Sequence, residues 1–252
     1  EASLLPIVST RSVILQTYRY SDTSKILRLM TREHGPRSAI AKGALRPKSK
    51  FGGVLEPFAE GEATLYLKDN RDLHTLSEFE LIRDRQRLGL DLPRFTGASL
   101  ACELVMRLAP EERDDRLYRT LLDALDALLE AERGQVERVA LSALWRVVRT
   151  LGFTPELRAC VSCGRVLEEA GARFDFSAGG LVCGRCPRGD GPGRWLEAGE
   201  LQTLRRLEAG RPLEASPDSG TQPALLRDFI RYHLAEGTSL RSLEFLDPRT
   251  FG

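Results

Sequence analysis

Near Pro93 the hydrophobic spacing of this chain changes period, and the change divides what its two parts can fold into. Upstream, apolar residues alternate with polar ones inside short runs, RSVILQTYR, SKILRLMTRE, PRSAIAKG, EGEATLYLK and LHTLSEFELI. The turn signals YSDT, HGP and KDNRD lie between them, so each run reads as a strand. Five strands in about 70 residues, with one long connection after the third, predict a small barrel. The OB-fold is the commonest five-stranded solution, and an SH3-like barrel is its topological competitor. On the second strand Leu27 and Leu29 share one face while Arg28 and Arg32 share the other, because side chains alternate sides along a strand.

Downstream the period becomes helical. Leu100, Leu104 and Leu108 predict a helix ending at Pro110. Leu117, Leu121, Leu125, Leu128 and Leu129 predict a second. A third carries Val136, Val139, Ala140, Leu144, Val147, Val148 and Leu151, closed by Gly152 and Pro155. Two more are expected near Gly199–Glu208 and Pro223–Glu236, with Arg211 to Pro223 as a polar loop. The fold class is therefore α+β and multidomain. Its expected divisions are a barrel (1–82), a helical part (83–155), a cysteine-bearing insertion (156–190) and a second helical part (191–252).

Inside that insertion Cys160, Cys163, Cys183 and Cys186 form the pattern C-x2-C-x19-C-x2-C. Two C-x2-C turns each supply a pair of thiolates to one side of a tetrahedron, so the spacing predicts one structural Zn2+ per chain. Two disulfides would require an oxidising compartment. A redox pair would come singly, in a thioredoxin-like βαβ context. A catalytic zinc would need an open ligand position. RFDFS and GGLV between the pairs predict a small hairpin, and Arg158, Arg165, Arg173, Arg185 and Arg188 surround the site. The fifth cysteine, Cys102, reads as a small core residue in mid-helix.

A formal charge of +1 conceals a marked asymmetry. Four of the five lysines fall between Lys25 and Lys50, where eight cations face the single acid Glu33. The next thirty residues, Phe51 to Glu80, hold seven acids and two cations. The basic block comprises Lys25, Arg28, Arg32, Arg37, Lys42, Arg46, Lys48 and Lys50. Such a block on a barrel suits a polyanion, with Tyr18, Tyr20 and Phe51 as candidates for base stacking.

Catalytic signatures are missing from the sequence. His34, His74 and His233 have no neighbouring nucleophile, and there is no phosphate-binding glycine loop or nucleophile elbow. The acids at Glu111, Glu112, Asp114 and Asp115 read as helix-start charges. The chain also lacks an apolar run of roughly 18 residues and a secretory signal at its start, so a cytoplasmic, membrane-free protein is expected.

Several stretches together resemble one family, the bacterial DNA-repair protein RecO. They are SDTSKILRLMTREHGPRSAIAKGALRPKS, FGGVLEPFAEGEATLYL, LGFTPELRACVSCGR, GLVCGRC and YHLAEGTSLRSLEFL, in that order along nearly the whole chain. The resemblance implies an N-terminal OB-fold, a helical domain, a zinc-binding insertion and no enzymatic turnover. It further implies binding of single- and double-stranded DNA, annealing of complementary strands, and work with RecR. The outcome would be loading of RecA on strands coated by single-stranded DNA-binding protein (SSB). Two other classes share these parts, an RNA- or ribosome-associated zinc protein and a protein-interaction scaffold.

Overall fold

The computed structural model describes residues 7–67, 71–167, 171–187, 189–211, 220–234 and 240–246. They form two compact units, one through Glu130 and one from Ala131. In the first, five strands close a barrel: β1 (Ile7–Arg19), β2 (Lys25–Thr31), β3 (Gly35–Ala41), β4 (Glu60–Tyr66) and β5 (Leu73–Arg83). The order around the barrel is β1-β2-β3-β5-β4, with β1 also paired to β4. Only the β3–β5 pairing is parallel, from Ser38↔Leu73 to Ile40↔Thr75. That arrangement is the OB-fold rather than an SH3-like barrel.

β1 begins four residues before the predicted run. The extra length has a topological cause: Ile7–Val13 pair with β4, whereas Ser12–Arg19 pair with β2, so one strand seals both sides of the closure. A register shift between Ile14 and Gln16 bends it around the barrel. Inside, Ile14, Leu27, Leu29, Ala39, Leu65 and Leu76 are buried together. Phe51 and Leu55, from the long β3–β4 connection, join the same core. That connection is built of turns rather than a helix. Gly61 on β4 is sterically required, since a Cβ there would stand 2.5 Å from the Phe79 ring and 2.6 Å from the Glu80 carbonyl.

Two helices complete the unit, α1 (Leu92–Leu108) and α2 (Asp115–Glu130). Asp91 caps α1 by accepting from the Arg94 N–H at 3.2 Å. The β2–β3 turn is pressed against the α1–α2 connection. At Gly35 (φ 67°) any side chain would collide with the Glu112 carbonyl, 2.4 Å from the Cβ position. Beneath this, the Arg85 side chain is 0% exposed. Its guanidinium donates to the Phe58 carbonyl (3.2 Å), to Glu60 of β4 (3.1 Å) and to Asp126 of α2.

The second unit contains α3 (Val136–Thr150), β6 (Ala172–Asp175), β7 (Gly180–Val182), β8 (Gly193–Leu196), α4 (Ala198–Glu208) and α5 (Thr221–Leu234). β6 and β7 are the predicted hairpin. β8 adds a third antiparallel strand, giving the order β7-β6-β8. Sheet and helices share an aromatic core, in which Phe229 of α5 lies 5.3 Å from Trp145 and 5.9 Å from Phe174. α5 starts at Thr221, so the last residues of the expected polar loop are its first turn. Pro223 is tolerated there because first-turn N–H groups have no intrahelical acceptor. Residues 212–219 of that loop, 68–70 of the KDNRD turn and the helix end expected at Glu236 lie outside the described residues.

Arg85→Met should therefore destabilise the first unit by roughly 3–5 kcal/mol, because it leaves buried Glu60 only its longer contact with Arg11 (3.5 Å) and strips the Phe58 carbonyl of its donor. Chemical denaturation followed by far-UV circular dichroism measures the loss. A change under about 1 kcal/mol would show that water replaces the guanidinium at little cost.

Candidate nucleic-acid interface and metal centre

The four cysteine sulfurs of the second unit lie within 4.8 Å of one another. Three of their separations are 3.9 Å (Cys160–Cys186), 3.8 Å (Cys163–Cys183) and 3.7 Å (Cys183–Cys186). None is a disulfide. A tetrahedral metal with sulfur ligands at about 2.3 Å has sulfur–sulfur edges of about 3.8 Å, so the donor set has the size such an ion needs. Each knuckle also directs backbone amides at sulfur. Cys183 N–H donates to Cys160 Sγ at 3.3 Å, and Gly164 N–H closes the first turn onto the Cys160 carbonyl at 2.8 Å.

Electrostatics point the same way. Burial raises the Cys160 thiol, but hydrogen bonds from the Cys183, Cys163 and Ser162 amides outweigh it and bring the group down to about 6. Cys186 is pushed up to about 12, first by its hydrogen bonds with Cys163 and Cys183 and then by burial. The backbone thus favours thiolate at one position while its neighbours resist another. A cation at the centre removes that conflict, and the four cysteines can hold a metal such as zinc. Arg158, Arg165 and Arg185 are exposed around the knuckles. Arg173 instead donates to the Gly191 carbonyl (2.6 Å) and faces Asp175 (3.8 Å). Arg188 lies outside the described residues.

Seven of the eight cations in the basic block of the first unit fall into three groups. Lys25 is inward-turned: its ammonium bonds Glu56 at 2.8 Å and the Leu55 carbonyl at 3.1 Å. Arg32 and Arg37 brace the β2–β3 turn against the helical pair. Arg32 bonds Asp115 at 2.8 Å, and Arg37 donates to the Glu111 carbonyl at 3.1 Å. The Arg32 hydrogen bond is also the chief reason Asp115 stays more acidic than an ordinary carboxylate. Lys42, Arg46, Lys48 and Lys50 form the third group, exposed and without an ion pair among the described residues. Lys50 sits 5.4 Å from the Phe51 ring. Phe51 is itself buried in the barrel core, which takes it out of the stacking candidates. Tyr18 (40% exposed) and Tyr20 (62%) remain at the end of β1.

Arg28, the eighth cation, hydrogen-bonds Ser38 across the β2–β3 pair. It stands in a cleft of about 550 Å³ that it lines with Arg37, Arg71, Arg107 and His74. Two acids, Asp72 and Glu111, share the wall. The cleft lies where OB-folds take oligonucleotides, over the second and third strands beside the loop between the fourth and fifth. Arg71 and Arg107 escape a reading by sequence blocks. Arg71 stands in the acid-rich stretch, and Arg107 is a helix residue that only tertiary packing of α1 brings to the barrel.

Comparison with known proteins can be set against this geometry. Residues 5–85 match the family model described as "Recombination protein O N terminal", and residues 89–244 match "Recombination protein O C terminal". A DNA repair protein RecO from Symbiobacterium thermophilum is 34% identical over 251 residues, covering 96% of this chain and 98% of its own. The chain belongs to the RecO family. Other RecO relatives align at similar distance. Those of Anaeromyxobacter sp. strain K and Rubrobacter xylanophilus are 33% and 32% identical, each over 95% of this chain and 96% of their own. RecO membership makes the protein a DNA repair and recombination protein. Among the described residues no helix is long and apolar enough to cross a membrane.

This geometry separates tethering cations from free ones. Lys25→Ala should lower the unfolding midpoint and leave the salt dependence of single-stranded DNA binding unchanged, while Lys48→Ala with Lys50→Ala should do the reverse. Fluorescence anisotropy across a salt series, alongside thermal melts, reads both. A smaller salt slope for Lys25→Ala at unaltered stability would return Lys25 to the DNA surface.

Proposed function

We propose that this chain is a recombination mediator without enzymatic turnover. It binds single- and double-stranded DNA, anneals complementary strands, and with RecR helps load RecA on SSB-coated single strands. The observation that carries the reading is the set of cations without an ion pair among the described residues, Lys42, Arg46, Lys48 and Lys50, on an OB barrel of the RecO family. Annealing brings two polyanions together, which requires cations that neutralise phosphates without reading bases. Lysines on flexible stems provide diffuse contacts of this kind, whereas the arginines of the cleft offer bidentate ones. Of the remaining members of the basic block, Arg28 and Arg37 line the cleft and extend this surface, while Lys25 and Arg32, held by Glu56 and Asp115, support it from within the scaffold.

The proposed metal is one structural Zn2+ per chain, held by Cys160, Cys163, Cys183 and Cys186. Four thiolates leave a zinc ion no open position, so its part is to hold the two knuckles together. Metal analysis of protein purified without chelator should give about one zinc per chain. Cys160→Ala should destabilise the second unit more than it weakens DNA binding; lost DNA binding in a fully folded variant would contradict this assignment.

The deciding experiment is annealing of complementary strands coated with SSB, with and without RecR. The intact protein should accelerate it. Neutralising Lys42, Arg46, Lys48 and Lys50 together should slow annealing and reduce the salt slope of single-strand binding by up to about 0.7 per lost phosphate contact. No acceleration by the intact chain would sink the mediator role. A strong preference for RNA over DNA would favour the RNA-associated alternative, and partner binding without either would favour a scaffold.

A further inference from the structure

A second concave surface, wholly within the second unit, combines aromatic rings with unbalanced positive charge. It lies between β8 and α5 and has a volume of about 420 Å³, inside the usual range for small-ligand sites. Phe176, Pro192 and Tyr232 supply its apolar wall, and Arg194, Asp228 and Arg231 its polar one.

Tyr232 is 41% exposed, large for an aromatic on a helix packed into a core. Its ring is held from behind: His233 lies edge-on at 5.2 Å, and the Phe176 ring is 30° from parallel at 6.5 Å. His233 is in turn fixed against Phe229 at 4.5 Å. The exposed face of Tyr232 is therefore a braced platform rather than a swinging side chain.

Charge around it is uneven. Asp228 accepts from both Arg194 (3.3 Å) and Arg227 (3.2 Å), so its single negative charge is matched twice. Arg231, one residue before the tyrosine, is exposed and has no ion pair among the described residues. A fixed ring beside a surplus guanidinium matches one nucleotide unit, with a flat neutral base on the ring and its phosphate on the cation. A nucleotide uses the ring face and the cation together, whereas a run of peptide carboxylates would use the cation alone.

We propose that this cleft is a second single-strand site, stacking one unpaired base on Tyr232 and contacting the adjoining phosphate through Arg231. The assignment rests on the DNA-mediator reading and deepens it. A protein that anneals must hold two strands, and the barrel surface together with this cleft provides one contact on each unit.

The test uses the full, metal-loaded chain and a single-stranded oligodeoxycytidine carrying a photoreactive 5-iodo base. Cross-linking followed by peptide mapping should place an adduct on the α5 peptide that contains Tyr232. Tyr232→Ala and Arg231→Glu should each slow annealing about five-fold or more, with metal content and unfolding midpoint unchanged, while Tyr232→Phe anneals like the native chain. Native annealing rates in both variants, with no adduct on α5, would overturn the site while leaving the barrel reading intact. If the native chain bound no oligonucleotide, the mediator reading itself would fall. Binding of an acidic peptide that is lost in Tyr232→Ala, with annealing unaffected, would give the cleft to a protein partner and overturn the proposal.

Discussion

The buried guanidinium of Arg85 is the constraint on which the first unit depends. It reaches three separate pieces of chain: the Phe58 carbonyl at the end of the long connection, Glu60 at the start of β4, and Asp126 on α2. Phe58 adopts a left-handed conformation (φ 73°) that a bulky residue rarely accepts. The bond to its carbonyl helps hold the turn that delivers the chain into β4. An arginine suits the position because it cannot shed its proton, and its fork satisfies three acceptors at once. Glu60 and Asp126 in turn keep that charge from being an unpaired ion in the protein interior.

From this joint the arrangement of the basic surface follows. The β3–β4 connection carries Arg46, Lys48 and Lys50, yet it is fastened along its length. Leu45 N–H bonds the Thr23 carbonyl at 3.0 Å, Phe51 and Leu55 enter the core, and Lys25 clasps Leu55 and Glu56. Arg85 secures the far end. A loop held at four points keeps its cations outward in a defined place, which lowers the ordering cost of a phosphate contact. Charge and scaffold are thus divided among residues of one chemical type, some tethering the backbone and others facing solvent.

The barrel and the helices were readable because alternation and helical period depend on local spacing, and Leu27, Leu29, Leu121 and Leu144 mark them plainly. The four-cysteine group was readable for a similar reason, since knuckle geometry is encoded within four residues. What escaped depends on distant partners. The first residues of β1 acquire strand character by pairing with β4. β8, in a Gly- and Pro-rich segment, becomes a strand only because β6 offers its free edge. Charge counting joined Lys25, Arg32 and Arg37 to the free cations, although Glu56, Asp115 and the Glu111 carbonyl already engage them. It also passed over Arg71 and Arg107, which the fold gathers beside Arg28.

The double pairing of β1 bears on how the chain is made. Its first half finds a partner only in β4, whose residues leave the ribosome some fifty positions later. Until then Ile7 to Arg11 present an open backbone edge that carries Ile7 and Val8, a feature that can template aggregation. The parallel β3–β5 pairing needs a still later stretch. Such non-local closure slows folding relative to the mainly helical unit behind it. A nascent chain of this protein is thus most exposed to misassembly before Tyr66 has emerged, because the strand that seals the barrel waits longest for its partner.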